Sequence, residues 1–168
     1  MRIVLLILFF CISASSFSQS EILALNYFNN GAFEKALISY EKLYAANKGN
    51  SNFLFKIIEI HQQLEHLDIS ENLLFQELKK SKNPLYLVEL GYNYQLKNEL
   101  EKAADYYNQA VAIIDDTPMY AGTIARRFET HALIDYAAIV YEKAMILRPE
   151  FNYNIPLARI YGEQGKIE

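Results

Sequence analysis

The apolar residues of this chain recur at the spacing of amphipathic helices. Leu87, Leu90, Gly91 and Tyr94 stand at positions i, i+3, i+4 and i+7, which places them on one side of a helix. No stretch alternates apolar and polar residues in the way that would indicate a β-hairpin. The hydrophobic pattern therefore predicts an all-α chain.

One short pattern recurs along the sequence. In each occurrence an alanine is followed four residues later by a tyrosine, and the alanines are Ala36, Ala103 and Ala137. The interval from Ala36 to Ala103 is about twice the interval from Ala103 to Ala137, which leaves room for one more unit. Ser70 and Leu74 stand in register in that gap, in place of alanine and tyrosine. A fixed period of this kind indicates a repeat architecture, in which stacked units bury a shared core.

A second pattern stands upstream of the first. It consists of a large residue, a Leu-Gly or Leu-Ala pair and an aromatic residue, as in Leu90-Gly91 with Tyr94. Together the two patterns resemble the tetratricopeptide repeat family, whose unit is a helix–turn–helix of about 34 residues. The resemblance implies an all-α fold of helix–turn–helix repeats stacked into a right-handed solenoid. It predicts a repeat domain over residues 19–168, with about four repeats and the first helix of a fifth. The second repeat departs from the family pattern, with Ile58 at the small-residue position and His61 at the aromatic position.

The resemblance also predicts which residues lie between helices. Small residues allow close approach of the helices, and tyrosines fill the gaps between helix pairs. The small residues are Ala24, Gly91, Ala125 and Ala158, and the tyrosines are Tyr40, Tyr107 and Tyr141. Residues 165–168 resemble the start of another helix, so we expect a longer protein. The alternative is that the last helix caps the array.

Residues 1–18 have the three parts of a secretory signal peptide. A positive charge near the start is followed by ten mostly large apolar residues and then by small polar ones. Ser16 and Ser18 stand three residues and one residue before a cleavage point at Gln19, where signal peptidase requires small side chains. The alternatives are a buried hydrophobic helix and lipidation at Cys11, which the large residue before it disfavours. We therefore expect an exported protein, periplasmic or associated with the cell envelope, and we do not predict membrane association.

Charge and cysteine content narrow the class of partner. The 168 residues contain 16 Lys and Arg against 20 Asp and Glu, a net charge of −4, and nucleic-acid-binding domains normally show a basic excess. A single cysteine can form neither an internal disulfide nor a multi-cysteine zinc site. We therefore expect a protein or peptide partner, with no nucleic acid, no cofactor and no small-molecule substrate.

The sequence contains no persuasive catalytic or metal-binding constellation. It has neither a Gly-x-Ser-x-Gly elbow nor a Walker loop. His61 and His66 are five residues apart, so on a continuous helix they would point about 140° away from each other, which disfavours zinc. His131 and Asp135 are expected to be a surface pair, with a turn near Ala132. We expect a non-catalytic protein with no metal site.

The family resemblance places a binding groove along the first helix of each repeat. In that family these helices line a concave groove that takes extended peptides or helices. The register implies one series of groove positions at Leu25, Glu59, Tyr92, Arg126 and Arg159. It implies a second series at Phe28, Gln62, Gln95 and Glu129. The family's known Lys/Asn pattern for holding a carboxylate is not matched here.

Two interpretations of the groove arginines stay open. Arg126 and Arg159 are separated by about one repeat, and guanidinium groups suit the recognition of carboxylates. In the first interpretation they bind a carboxylate of a partner, whose apolar residues meet Leu25, Phe28 and Tyr92. In the second, both arginines pair with Glu129 and Glu163 on their own helices.

Two classes of function are compatible with the sequence. The favoured class is an exported, non-catalytic scaffold that binds a peptide or helix of a partner in the groove. The alternative is a docking module of a longer exported enzyme, whose catalytic domain lies beyond residue 168.

Overall fold

The computed structural model describes residues 19–165. The predicted signal peptide, residues 1–18 with Cys11, and residues 166–168 lie outside the described residues. Over 19–165 the chain is helical and contains no strand, which confirms the all-α prediction. A short 3₁₀ turn at Pro118–Tyr120 precedes the seventh helix. The helices are α1 (19–29), α2 (Phe33–Ala46), α3 (Ser51–Gln63), α4 (Leu67–Lys80), α5 (Leu85–Leu96), α6 (Leu100–Asp116), α7 (Ala121–Thr130), α8 (Ile134–Leu147) and α9 (Asn154–Glu163).

A left-handed residue follows the first helix of each pair. The backbone angle φ is positive at Gly31, Glu65, Asn98, Ala132 and Gly165. After the first four of these residues, the next amide bonds back to a carbonyl five residues earlier, as from Ala32 to Tyr27 at 2.9 Å. This bond satisfies a carbonyl that the end of the helix leaves without a partner. The left-handed residues recur at a nearly constant interval, so the backbone has the period that the sequence predicts.

The chain divides into two compact units, with the boundary between Ser70 and Glu71 inside α4. In the first unit, α2 packs against α3. The ring centroid of Tyr40 lies 6.2 Å from that of Phe53, and Ala36 is fully buried. The predicted gap-filling tyrosine and small residue of the first repeat are therefore both in the interior.

In the second unit, α5 packs against α6 and α7 packs against α8. A Cβ atom added to Gly91 would lie 2.3 Å from the ring of Tyr107, so this glycine permits the close approach of α5 and α6. The Tyr107 ring also meets Phe128 edge-on, with centroids 5.5 Å apart. Contacts between α5 and α7 and between α6 and α8 continue the packing from one pair to the next. These contacts are the ones predicted for stacked repeats.

Three details differ from the sequence expectations. Ile58 is fully buried, so the second repeat accommodates a large side chain at the small-residue position. The prediction that His61 and His66 diverge is wrong, because their ring centroids are only 5.7 Å apart. Helix α3 ends before the left-handed Glu65, which turns His66 back toward the helix. Ala158 is exposed, because no described helix follows α9 to pack against it.

Candidate functional site

In the first unit, the predicted groove positions form a mixed surface on α1 and α3. Leu25 is exposed and Phe28 is half-buried. The ammonium of Lys56 lies 4.2 Å from the Phe28 ring centroid and 2.8 Å from the Glu59 carboxylate. Gln62 is buried. Lys56 thus adds a cation beside Phe28 that the sequence register did not include.

In the second unit, Tyr92 and Gln95 of α5 are both half-buried and in contact with neighbouring helices. The Tyr92 ring stacks on the imidazole of His131, with centroids 3.9 Å apart and an angle of 19° between the planes. The Tyr107 hydroxyl of α6 donates a hydrogen bond to Gln95 Oε1 at 2.9 Å. These two predicted groove residues are therefore held in place by His131 and Tyr107.

A fully buried carboxylate lies behind this surface. Glu89 of α5 accepts hydrogen bonds from Arg127 Nε and from His131 Nε2, the latter at 2.7 Å. Burial raises the pKa of the Glu89 carboxyl, but the hydrogen bond from His131 and the charge of Arg127 outweigh it, and the pKa lies below its ordinary value. The ionised carboxylate therefore links α5 to α7.

The expectation of a surface site for His131 is wrong. Its side chain is only 7% exposed, because the turn after α7 brings it over Glu89. Asp135 accepts a hydrogen bond from the Gln164 side chain at 2.9 Å. The turn at Ala132 is confirmed.

The two arginines that are predicted to line the groove lie on α7 and α9 and differ in their contacts. Arg126 donates from Nε to the carbonyl of Gly122 at 3.0 Å and forms no ion pair within residues 19–165. Arg159 contacts Glu129 of the neighbouring helix α7 at 2.9 Å and Glu163 of its own helix at 3.7 Å. Both arginines are exposed. Arg159 therefore has carboxylate partners within the protein, whereas Arg126 keeps its terminal nitrogens available to solvent.

Two tyrosine side chains lie near these arginines. The Tyr141 hydroxyl of α8 donates to Glu129 at 3.2 Å. The Tyr141 ring lies 4.8 Å from that of Tyr153, which precedes α9. A Cβ built on Gly122 would lie 3.4 Å from the Tyr153 hydroxyl, so Tyr153 also reaches the first turn of α7. We call Arg126, Glu129, Tyr141, Tyr153 and Arg159 the arginine cluster.

The electrostatics of the arginine cluster centre on Tyr141. Burial, together with the charge of Glu129 and its hydrogen bond, raises the pKa of Tyr141 to about 12, while the charges of Arg126 and Arg159 act in the opposite direction. Both guanidinium groups therefore act on the same hydroxyl. The cluster has two cations, one acidic side chain that contacts Arg159, and two aromatic rings. Such a surface can bind a carboxylate through charge-assisted hydrogen bonds while aromatic rings pack against neighbouring apolar groups.

Sequence reasoning missed Glu89, Arg127, Lys56 and Tyr153. The sequence around Glu89 could have indicated a buried charge, since Glu89 is a single charged residue inside the mainly apolar and aromatic stretch of α5. A charge in such a stretch requires a partner when it is buried. Its partner Arg127 is 38 residues away, so no local spacing pointed to it.

Neither a metal cluster nor a membrane-spanning helix is present in the part of the chain that the structure describes. Over residues 19–165, no group of three His, Cys, Asp or Glu side chains is placed to hold a metal ion. Within the same range, the helices are too short or too polar to cross a bilayer.

Helix pairs that repeat with a period of about 34 residues, with small residues at the helix contacts, define a tetratricopeptide-type fold. Solved structures share it. TTC0263, a thermophilic TPR protein in Thermus thermophilus, is 16% identical, with a TM-score of 0.51 over 89% of this chain and 84% of that one. MamA from residue 41 to the end, from Desulfovibrio magneticus RS-1, is 14% identical, with a TM-score of 0.51 over 89% of this chain and 86% of that one. At such identities the likeness shows the fold alone. No protein-family model matches the sequence, and no curated protein matches it.

Proposed function

We propose that this chain is an exported, non-catalytic scaffold that binds an extended peptide or a helix of a partner protein. The first helices α5, α7 and α9 of the second unit form the binding surface. A carboxylate of the partner binds at Arg126 and Arg159, and an apolar residue next to that carboxylate packs on the tyrosines of the arginine cluster.

The tetratricopeptide-type fold supports the scaffold assignment, because that family takes peptides or helices along its first helices. The surface chemistry supports a protein partner as well. Exposed guanidinium groups beside aromatic rings are typical of protein interfaces, where Arg and Tyr are enriched.

The contacts of Arg126 carry the proposal. Its Nε is tied to the Gly122 carbonyl, which fixes the direction of the guanidinium, while the terminal nitrogens make no ion pair within residues 19–165. A guanidinium held in one orientation loses less side-chain entropy when it binds a carboxylate. Arg126 is therefore a preorganised donor on an exposed surface.

A peptide array tests the proposal. Hexapeptides of varied sequence are probed with the purified chain, with Arg126→Gln and with Arg148→Gln. Arg148 is the matched control, because it is an exposed arginine paired with Glu150 outside the arginine cluster. We expect a set of peptides that binds the unmodified chain and Arg148→Gln but does not bind Arg126→Gln. An array that binds nothing, or binds all three proteins alike, contradicts the proposal.

Export rests on the pattern of residues 1–18 and has its own test. Expression of the whole chain in a Gram-negative bacterium, followed by intact-mass measurement of the periplasmic fraction, should give a protein that begins at Gln19. A full-length cytoplasmic product would rule out the signal peptide, and a lipid adduct at Cys11 would identify a lipoprotein.

A further inference from the structure

The carboxylate of Glu129 occupies one of the two arginines that the proposed function assigns to a partner. Its Oε2 lies 2.9 Å from Arg159 Nη2, and its Oε1 accepts the hydrogen bond from Tyr141. The Glu129 side chain is 20% exposed, so solvent or a ligand reaches it. The shorter of the two carboxylate contacts of Arg159 is therefore made within the arginine cluster, by Glu129 at 2.9 Å.

We propose that Glu129 is an internal competitor that stands where a partner's carboxylate binds, and that it sets the affinity and selectivity of the arginine cluster. This inference rests on the proposed function. A carboxylate that reaches Arg126 alone makes a single-arginine contact. To engage both arginines it displaces Glu129 from Arg159, so weakly complementary carboxylates are rejected.

The third repeat shows that the charge of Glu129 is not needed for the local structure. Gln95 and Tyr107 stand at the positions of that repeat equivalent to Glu129 and Tyr141 of the fourth. Gln95 accepts the hydrogen bond from Tyr107 at 2.9 Å, as Glu129 does from Tyr141 at 3.2 Å. A glutamine at position 129 therefore keeps the bond to Tyr141, and what it loses is the ion pair with Arg159.

The expected gain from this loss is modest. Partly exposed ion pairs contribute little free energy, since water screens them. Release of Arg159 from Glu129, with Glu163 still 3.7 Å away, should therefore raise the affinity for a carboxylate ligand about two- to five-fold. Ligands without a carboxylate should gain nothing.

Fluorescence anisotropy with three labelled hexapeptide pools tests the inference. The first pool has a free C-terminal carboxylate and no Asp or Glu. The second is amidated and carries one Asp, and the third is amidated and has no acidic residue. We expect Glu129→Gln to bind the first or the second pool about two- to five-fold more tightly than the unmodified chain, and the third pool equally. The pool that responds tells a chain terminus from an acidic side chain.

Glu34→Gln is the matched control for net charge, because Glu34 is an exposed residue of α2 in the first unit. It should leave the binding of all three pools unchanged, and circular dichroism should show the same helix content in every variant. Equal binding by Glu129→Gln and the unmodified chain, or the same gain in Glu34→Gln, overturns the competitor role and leaves the proposed function standing. If neither carboxylate pool distinguishes the unmodified chain from Arg126→Gln, the proposed function itself fails.

Discussion

The buried carboxylate of Glu89 makes a strong prediction about stability. Arg127→Met removes its cation and keeps a side chain of similar length. Glu89 is 0% exposed, and the Arg127 side chain is 18% exposed. Removing one partner of a buried ion pair costs about 3–5 kcal/mol, because the other charge stays in a medium of low polarity. Since His131 keeps its hydrogen bond to Glu89, we expect the lower end of that range, about 3 kcal/mol.

Urea denaturation followed by far-ultraviolet circular dichroism measures this loss. Urea is uncharged and does not screen the ion pair, and the chain has no tryptophan to report by fluorescence. In Arg127→Met the urea concentration at the midpoint of unfolding should fall. The slope of the unfolding free energy against urea concentration should stay the same. The double variant Glu89→Leu/Arg127→Met removes both charges. It should be more stable than Arg127→Met alone, since an apolar pair of similar volume often replaces a buried ion pair without loss.

The stability deficit of Arg127→Met, which is its loss of unfolding free energy relative to the unmodified chain, should also depend on pH. The guanidinium is one of the groups that lower the pKa of Glu89, so the folded variant has a higher Glu89 pKa than the folded unmodified chain. Between those two pKa values the folded variant binds more protons than the folded unmodified chain, so the deficit grows as pH rises. The deficit should therefore be larger at pH 7 than at pH 4. A cost of Arg127→Met below about 1 kcal/mol at pH 7.5, or a double variant that is no more stable than Arg127→Met alone, would refute the argument.

Three further predictions concern stability and use the same urea assay. Gly91→Ala should lower the free energy of unfolding by about 1–3 kcal/mol, because the new Cβ would lie 2.3 Å from the Tyr107 ring. The control is Gly122→Ala, where the new Cβ makes only ordinary contacts. This variant should be as stable as the unmodified chain or more stable by up to about 1 kcal/mol. Ala132→Gly should stabilise by about 0.5–1 kcal/mol, because Ala132 is exposed and has a φ of 56°. Burial lowers the pKa of His61. The folded state therefore binds fewer protons than the unfolded state, and the free energy of unfolding should fall as pH falls from 7 to 5. His61→Phe should weaken that pH dependence. A higher midpoint in Gly91→Ala, a lower one in Ala132→Gly, or an unchanged pH profile in His61→Phe would contradict the respective argument.

Much of the fold could be predicted from the sequence, because packing between repeats requires small and large residues at regular intervals along the chain. Ala36, Ala103 and Ala137 are buried where the period requires small residues, and Tyr40, Tyr107 and Tyr141 are buried where it requires large ones. Helix α9 begins at Asn154, two residues before Pro156, as a proline in the first turn of a helix requires. These features depend on local spacing, which a sequence displays directly.

The candidate site could be predicted only in part, because its contacts join residues of different repeats. The register named Arg126, Glu129 and Arg159, but it offered pairing within each helix as the alternative to binding. Arg159 does approach Glu163 of its own helix, at 3.7 Å, yet it lies nearer to Glu129 of the neighbouring helix, at 2.9 Å. Spacing along one helix cannot rank such contacts, since both distances depend on how two helices pack. For the same reason the bond between Glu89 and Arg127 was not foreseen.

The buried Glu89 has a consequence for the order of the repeats. Arg127 occupies one position of the fourth repeat, and the equivalent positions of the first, second, third and fifth repeats hold Asn26, Ile60, Asn93 and Ile160. Only the fourth repeat therefore offers a cation to the third repeat at this contact. If any other repeat followed the third, the buried carboxylate would lack that cation. The repeats of this chain are thus not interchangeable modules, and a permuted or duplicated array would lose stability at the junction that follows α5.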